Sequence, residues 1–166
     1  MITGNGYHTH YPFLAAALAS RTTGPVLELG AGDWSTVMLH YMCEAQHRLL
    51  VTAESDADWL SKYHGLATSR HHLHHVPQEE WHTYPVAPPS SEPARWGVVF
   101  VDCYPSKARG PLIERVRPYA DLIVAHDTEM PEVNGYEPLL SSFAHRADFK
   151  LVTPWTTIVS DVAPIW

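Results

Sequence analysis

Apolar residues occur along this chain as short unbroken runs alternating with longer stretches at helical spacing, which is how strands sandwiched between helices read in sequence. The run PVLELGAG is apolar up to its glycines and leads into DWSTVMLHYMC, where Val37, Met38, Tyr41 and Met42 mark one helical face. LLVTAE predicts a second strand, and SDADWLSKYH a short helix capped by Ser55 or Asp56. HHLHHV is a third, shorter strand. WGVVFVD and ADLIVAHD are continuous apolar runs of the kind buried on both faces of a parallel sheet, and each ends in an aspartate. A helix from about Ala108 to Arg117, closed by Pro118, separates them. Gly135 to Ala144 also has helical spacing, while DFKLVT and WTTIVSD predict two last strands joined by a tight Pro154–Trp155 connection. Pro12 opens an N-terminal helix whose Phe13, Leu14, Ala17 and Leu18 recur at helical spacing. The stretch from Pro85 to Arg95, with four prolines and two serines, is a surface loop with room for a lid. Five strand–helix steps followed by two strands describe an α/β, doubly wound, mostly parallel sheet ending in an antiparallel hairpin. Ligands of such sheets bind at the carboxyl ends of the strands.

Composition narrows the classes. With 166 residues, 1–166 forms one domain, with 1–23 as an N-terminal helical cover and 24–162 as the core. The net charge of −7 repels phosphate backbones and anionic bilayers, so nucleic acid and membrane are excluded as partners and a small-molecule substrate is expected. Twelve histidines move that charge toward neutrality in mild acid. Cys43 and Cys103 are expected as reduced thiols in a cytoplasmic protein. The apolar run after Tyr11 lacks a preceding basic segment and reads as a packed helix rather than a signal peptide.

Glu28, Gly30 and Gly32 form E-x-G-x-G, a loop whose glycines allow close backbone approach to a ligand and whose helix start offers unpaired N–H groups. A dinucleotide loop would carry a third glycine where this chain has Ser35, and no Gly-Lys-Ser/Thr follows to make a phosphate loop. Glu54, ending the second strand, sits at the depth where an acid holds both hydroxyls of a ribose. VLELGAGDWST followed by VTAE resembles motifs I and II of the class I S-adenosylmethionine-dependent methyltransferases, a family with a seven-stranded Rossmann-like sheet and a reversed last strand. The resemblance spans residues 24 to 162. It implies S-adenosyl-L-methionine as cofactor, with Gly30 and Gly32 along its methionine part, Glu28 supporting the loop or the cofactor's amino group, and Glu54 on the ribose.

VVFVDCYPSKARG and DLIVAHDTE bring Asp102 and Asp127 to adjacent strand ends, where two carboxylates need a cation, a shared proton or an arginine to coexist. This region resembles the small-molecule O-methyltransferase branch with a divalent cation. Carried over, Asp102 and Asp127 would be metal ligands, joined by Glu129, although Thr128 stands where catechol-type members have asparagine. Hard oxygen ligands suit magnesium, and His126 would shift the choice toward manganese, iron or zinc. The reading preferred here holds no metal: Asp127 holds Arg109 or a backbone amide, and His126 acts beside Asp102 as general base. Asp102, Arg109, His126 and Asp127 are therefore the candidate catalytic group, with Asp102 also touching the cofactor.

Weaker signals complete the reading. His71, His72, His74 and His75 would alternate between the faces of a strand and so cannot converge on one ion. In GYHTHYPF, His8 or His10 would contact substrate or metal from a segment folded over the cleft. Cys103 reads as a small buried hydrophobe and the dispersed tryptophans as core and rim packing. The function expected is methyl transfer to an oxygen or nitrogen of a small molecule, in a chain that allows a homodimer. The alternative is a non-catalytic member of the same fold acting through a partner.

Overall fold

The computed structural model describes residues 8–89 and 95–165. Its elements run α1 (Tyr11–Ser20), β1 (Val26–Leu29), α2 (Ser35–Ala45), β2 (Leu50–Glu54), α3 (Ala57–Ser61), β3 (His71–His75), β4 (Trp96–Val101), α4 (Arg109–Val116), β5 (Ala120–His126), α5 (Pro131–Asn134), β6 (His145–Phe149) and β7 (Thr156–Ser160). The seven strands form one sheet in the order β3-β2-β1-β4-β5-β7-β6. β1 to β5 are parallel, and β7 enters antiparallel to β5 with β6 on the edge. This is the expected α/β sheet with its terminal hairpin.

Strand alternation sends successive side chains into two separate cores, which is why unbroken apolar runs are needed in the centre of the sheet. Leu27, Val51, Val99 and Ile123 join Leu112, Ile113 and Val116 of α4 on one face. Val26, Leu50, Val98, Phe100 and Leu122 join Leu14 and Leu18 of α1 and Met38, Leu39 and Cys43 of α2 on the other. Each fully buried aliphatic contributes about 1.5–3 kcal/mol by leaving water. No helix among the described residues is long and apolar enough to cross a membrane.

Three local expectations are corrected. The face of α2 turned to the sheet carries Thr36, Met38, Leu39, His40 and Cys43, whereas Val37 and Tyr41 are exposed. The helix rotates because buried polar partners for Thr36 and His40 wait beneath it. Residues 135 to 144 do not make a helix: Gly135 takes a left-handed conformation that ends α5, and a one-turn 3-10 helix at Leu139–Ser142 precedes β6. β6 starts at His145, so residues 150–155 and not a tight turn connect the hairpin. The cap of α3 resolves to Asp56, whose Oδ1 accepts from Trp59 N–H at 2.9 Å. Within the proline-rich loop, the carbonyl of Val86 accepts from Trp96 Nε1, and residues 90–94, like Gly6 and Tyr7, lie outside the described residues.

The chain reverses its winding between β1 and β4, opening a crevice at their carboxyl ends. There Gly30 has φ of +101°, and a Cβ on it would lie 2.6 Å from the carbonyl of Asp102. Only glycine fits. Gly30→Ala should therefore cost about 2–5 kcal/mol in urea unfolding, combining backbone strain with overpacking. Gly65→Ala, where an added Cβ meets nothing within 4 Å, should stay within about 0.5 kcal/mol of wild type.

Candidate active site

The loop after β1 is held from below by two acids with different tasks. Glu54, at the end of β2, accepts from Ala31 N–H at 2.8 Å with one oxygen, and from Ser55 N–H at 2.6 Å and Asp56 N–H at 2.8 Å with the other. It thus ties the glycine loop to the start of α3. Glu28 is sealed beneath the loop, where its Oε2 accepts from Thr36 and Thr52 hydroxyls at 3.0 and 2.8 Å. Thr36 Oγ1 in turn accepts from Gly32 N–H at 2.9 Å. Burial pushes the Glu28 carboxyl up to about 7, against the opposing pull of its hydroxyl partners. Through Thr36, Glu28 supports the loop.

That polar chain continues into the sheet. Thr52 gives its proton to Glu28, so at its 3.0 Å contact with His71 it must accept from Nε2–H. His71 Nδ1 is then the acceptor facing His40 Nδ1 at 3.2 Å. Burial, followed by the neighbouring His40, lowers His71 to about 4 and keeps it neutral. Of the four clustered histidines only His71 is buried.

At the ends of β4 and β5, Asp102 and Asp127 are joined by one guanidinium. Arg109, from the first turn of α4, places Nη2 2.8 Å from Asp102 Oδ1 and Nη1 2.6 Å from Asp127 Oδ2. Its Nε donates to the Cys103 carbonyl at 2.8 Å. The side chain is only 7% exposed. Burial alone would disfavour its charge, but the two carboxylates more than compensate and raise its pKa. Asp127 adopts a left-handed backbone, φ +56°, and its carbonyl accepts from Asn134 Nδ2 at 2.8 Å.

His126 lies against the same pair, with Nδ1 3.2 Å from Asp102 Oδ2 and 3.5 Å from Asp127 Oδ1. Its Nε2 is 3.1 Å from Thr9 Oγ1, which itself donates to the Pro154 carbonyl at 2.7 Å. Thr9 can therefore only accept, and Nε2 carries a proton. Burial opposes a charge on His126, yet the Asp102 hydrogen bond and the two nearby carboxylates raise its pKa. With both nitrogens engaged and the ring 2% exposed, His126 does not offer a free lone pair to a substrate. The expected role of a general base in direct contact is corrected to one of holding Asp102.

Among the described residues, the carboxylate set that the resemblance would imply for a metal is not assembled either. Asp102 and Asp127 each give an oxygen to Arg109, and Glu129 Oε2 accepts from Trp155 N–H at 2.8 Å. The three acids do not form a common oxygen cage, and magnesium does not fit them.

Between the glycine loop and this cluster lies a cavity of about 390 Å³, within the range of small-ligand sites. Residues 31–35 form one wall, Trp59 a second, and Asp102 and His10 a third. Trp59 Nε1 donates to the Ala31 carbonyl at 2.8 Å, fixing its ring there. Glu54 stands behind Ala31 and is not part of the lining. Trp34 and Trp59 are site residues that sequence reading assigned to packing. The position of Trp34 two residues past Gly32 was the available signal. Cys103 is buried and its thiol is pushed up to about 12 by burial, so it is inert.

Two measurements follow from these networks. Arg109→Met leaves two facing carboxylates without their cation and should lower stability by about 2–4 kcal/mol in urea unfolding. Glu28 binds its proton more tightly folded than unfolded, so its contribution to stability is lost as pH rises from about 4.5 to about 7. Buried His10 and His71, whose pKa values are lowered, act in the opposite sense, and His126, whose pKa is raised, in the same one, which makes the difference between wild type and Glu28→Gln the informative quantity. That difference should shift in favour of the variant by on the order of 3 kcal/mol across this interval.

No protein-family model and no curated protein matches the sequence. Solved structures do resemble the fold. An O-methyltransferase from Bacillus cereus in complex with SAH superposes with a TM-score of 0.69 at 14% identity, covering 92% of this chain and 80% of that one. The O-methyltransferase TomG from Streptomyces achromogenes, in complex with SAM, gives 0.66 at 14% identity over 93% and 87%. An SAH-bound methyltransferase from Podospora anserina gives 0.59 at 12% identity over 95% and 88%. The chain therefore shares the fold of these methyltransferases, a seven-stranded, mostly parallel sheet with a reversed strand at its end.

Proposed function

We propose that this protein binds S-adenosylmethionine and transfers its methyl group to an oxygen or nitrogen of a small molecule. The observation that carries this reading is the cavity at the β1–β4 crevice, walled by the glycine loop on one side and by Asp102 on the other. In this reading the methionine part lies along residues 30–32, where Gly30 and Gly32 leave the backbone bare. Glu54 serves the ribose side, both by holding the amides of residues 31, 55 and 56 in place and by its position at the strand end. Trp34 and Trp59 exclude water from the pocket, and its size suits a small acceptor rather than a polymer. The two buried thiols fit a cytoplasmic protein.

Held along residues 30–32, the cofactor would supply an activated methyl carbon whose leaving group is a neutral thioether. What the chain must add is alignment. Asp102, the carboxylate of the cluster that lines the cavity, accepts a hydrogen bond from the acceptor's O–H or N–H, and the proton leaves along it. Arg109 and His126 fix the rotation of Asp102, and Asp127 anchors Arg109 from the far side.

Calorimetry should give micromolar binding of S-adenosylhomocysteine and none of NADH, with binding lost in Glu54→Ala and Gly32→Val. Binding of NADH in place of S-adenosylhomocysteine would overturn the assignment. Asp102→Ala should abolish turnover while far-UV circular dichroism stays unchanged, because the side chain sits at the rim of the sheet and not in its core.

A further inference from the structure

His10 stands out among the buried polar groups. It is 3% exposed, it lines the cavity, and neither ring nitrogen has a hydrogen-bond partner among the described residues. A buried imidazole normally satisfies at least one nitrogen, because leaving a polar atom unpaired costs about 1–3 kcal/mol. The ring is nevertheless well placed by packing. It lies 4.8 Å from the Phe100 ring and edge-on to His126, with centroids 4.6 Å apart. One donor atom from each of His10, Asp102 and His126 falls within 4.8 Å of the others.

We propose that His10, Asp102 and His126 form a binding site for a divalent transition-metal ion, of the zinc or cobalt type rather than magnesium. Two imidazoles and one carboxylate are the donor set that borderline ions prefer, whereas magnesium asks for oxygen. Asp102 and Asp127 face Arg109 on one side and the N–H groups of His126 on the other, so an ion would take the place of the His126 Nδ1 proton, between that nitrogen and Asp102 Oδ2, while Asp102 Oδ1 stays on Arg109. Tetrahedral donors on one zinc ion at about 2.1 Å each lie about 3.4 Å apart. The widest separation in the trio must therefore close by up to about 1.4 Å, which side-chain rotation has to supply. His10 Nδ1 and Nε2 are both shielded from solvent, which suits a small ion lodged between three side chains better than a substrate group.

Three protein ligands leave one coordination position open, and the cavity wall formed by His10 and Asp102 is where it would face. This deepens the methyl-transfer reading, since an ion there would lower the pKa of a hydroxyl acceptor in the same cavity. Metal binding itself does not depend on that reading.

The test is titration of EDTA-dialysed full-length protein with Co²⁺, followed by visible absorption, and with Zn²⁺, followed by calorimetry. The expected result is one equivalent of ion with the intense visible bands of four- or five-coordinate cobalt. His10→Phe keeps the ring against Phe100 but removes both nitrogens, and Asp102→Asn keeps the shape but removes the charge. Each should weaken binding at least tenfold while its circular dichroism spectrum remains that of wild type. His72→Ala and His75→Ala, on exposed histidines, should leave it unchanged. Absence of stoichiometric binding to wild type, or binding that survives intact in His10→Phe or in Asp102→Asn, overturns the site. Should one variant misfold, the other decides alone. If both misfold, protection of His10 and His126 from diethylpyrocarbonate by Zn²⁺ in the wild-type protein decides in their place. Parallel titration with S-adenosylhomocysteine separates the two proposals, since loss of cofactor binding with metal binding intact refutes only the methyl-transfer reading.

Discussion

The bridge that Arg109 makes between Asp102 and Asp127 is the constraint around which the site is arranged. Two carboxylates at neighbouring strand ends repel, and without a cation between them the ends of β4 and β5 would splay or one acid would stay protonated. Placing the guanidinium there fixes more than charge. Its Nε holds the Cys103 carbonyl, so the turn after β4 is tied to the start of α4. On the other side Asp127 accepts a left-handed backbone to present its carboxylate, and Asn134 holds its carbonyl. A planar guanidinium spreads its donors toward three separated acceptors, whereas a lysine at position 109 would offer all of its donors from one nitrogen.

Against this rigid corner the remaining residues take their roles by elimination. Asp102 has one oxygen on Arg109 and the other toward His126 and the cavity. His126 has one nitrogen on Asp102 and the other on Thr9, which is itself committed to Pro154. In this cluster, among the described residues, His10 is left with no hydrogen-bond partner on either nitrogen. The order of hydrogen-bond donation, and not the identity of the residues, decides which group is free.

Much of the architecture was legible in the sequence because unbroken apolar runs and glycine punctuation report directly on a doubly wound sheet. Seven strands, the reversed hairpin and the glycine loop follow from those signals. The rotation of α2 was not legible, since it depends on Glu28 and His71 lying beneath Thr36 and His40 across the sheet. Nor could spacing show that residues 135–144 break after Gly135, a failure that comes from a left-handed residue overriding helical periodicity. At the site, sequence order placed Asp102, Arg109, His126 and Asp127 near one another. It could not say that Arg109 takes both acids, that Glu129 turns away to the Trp155 amide, or that Trp59 swings in from α3. These are decisions of three-dimensional geometry with no local signature.

The contact between Gly30 and the Asp102 carbonyl has a consequence for how such a protein diversifies. Because two backbones touch there without any side chain between them, the spacing between the glycine loop and the acidic corner is set by the main chain alone. Residues such as Trp34, whose ring is half exposed, can then be exchanged without disturbing that spacing. The pocket's taste for one small molecule over another is thereby uncoupled from the alignment of its reacting groups, and a lineage can explore new acceptors through the wall while the frame stays constant.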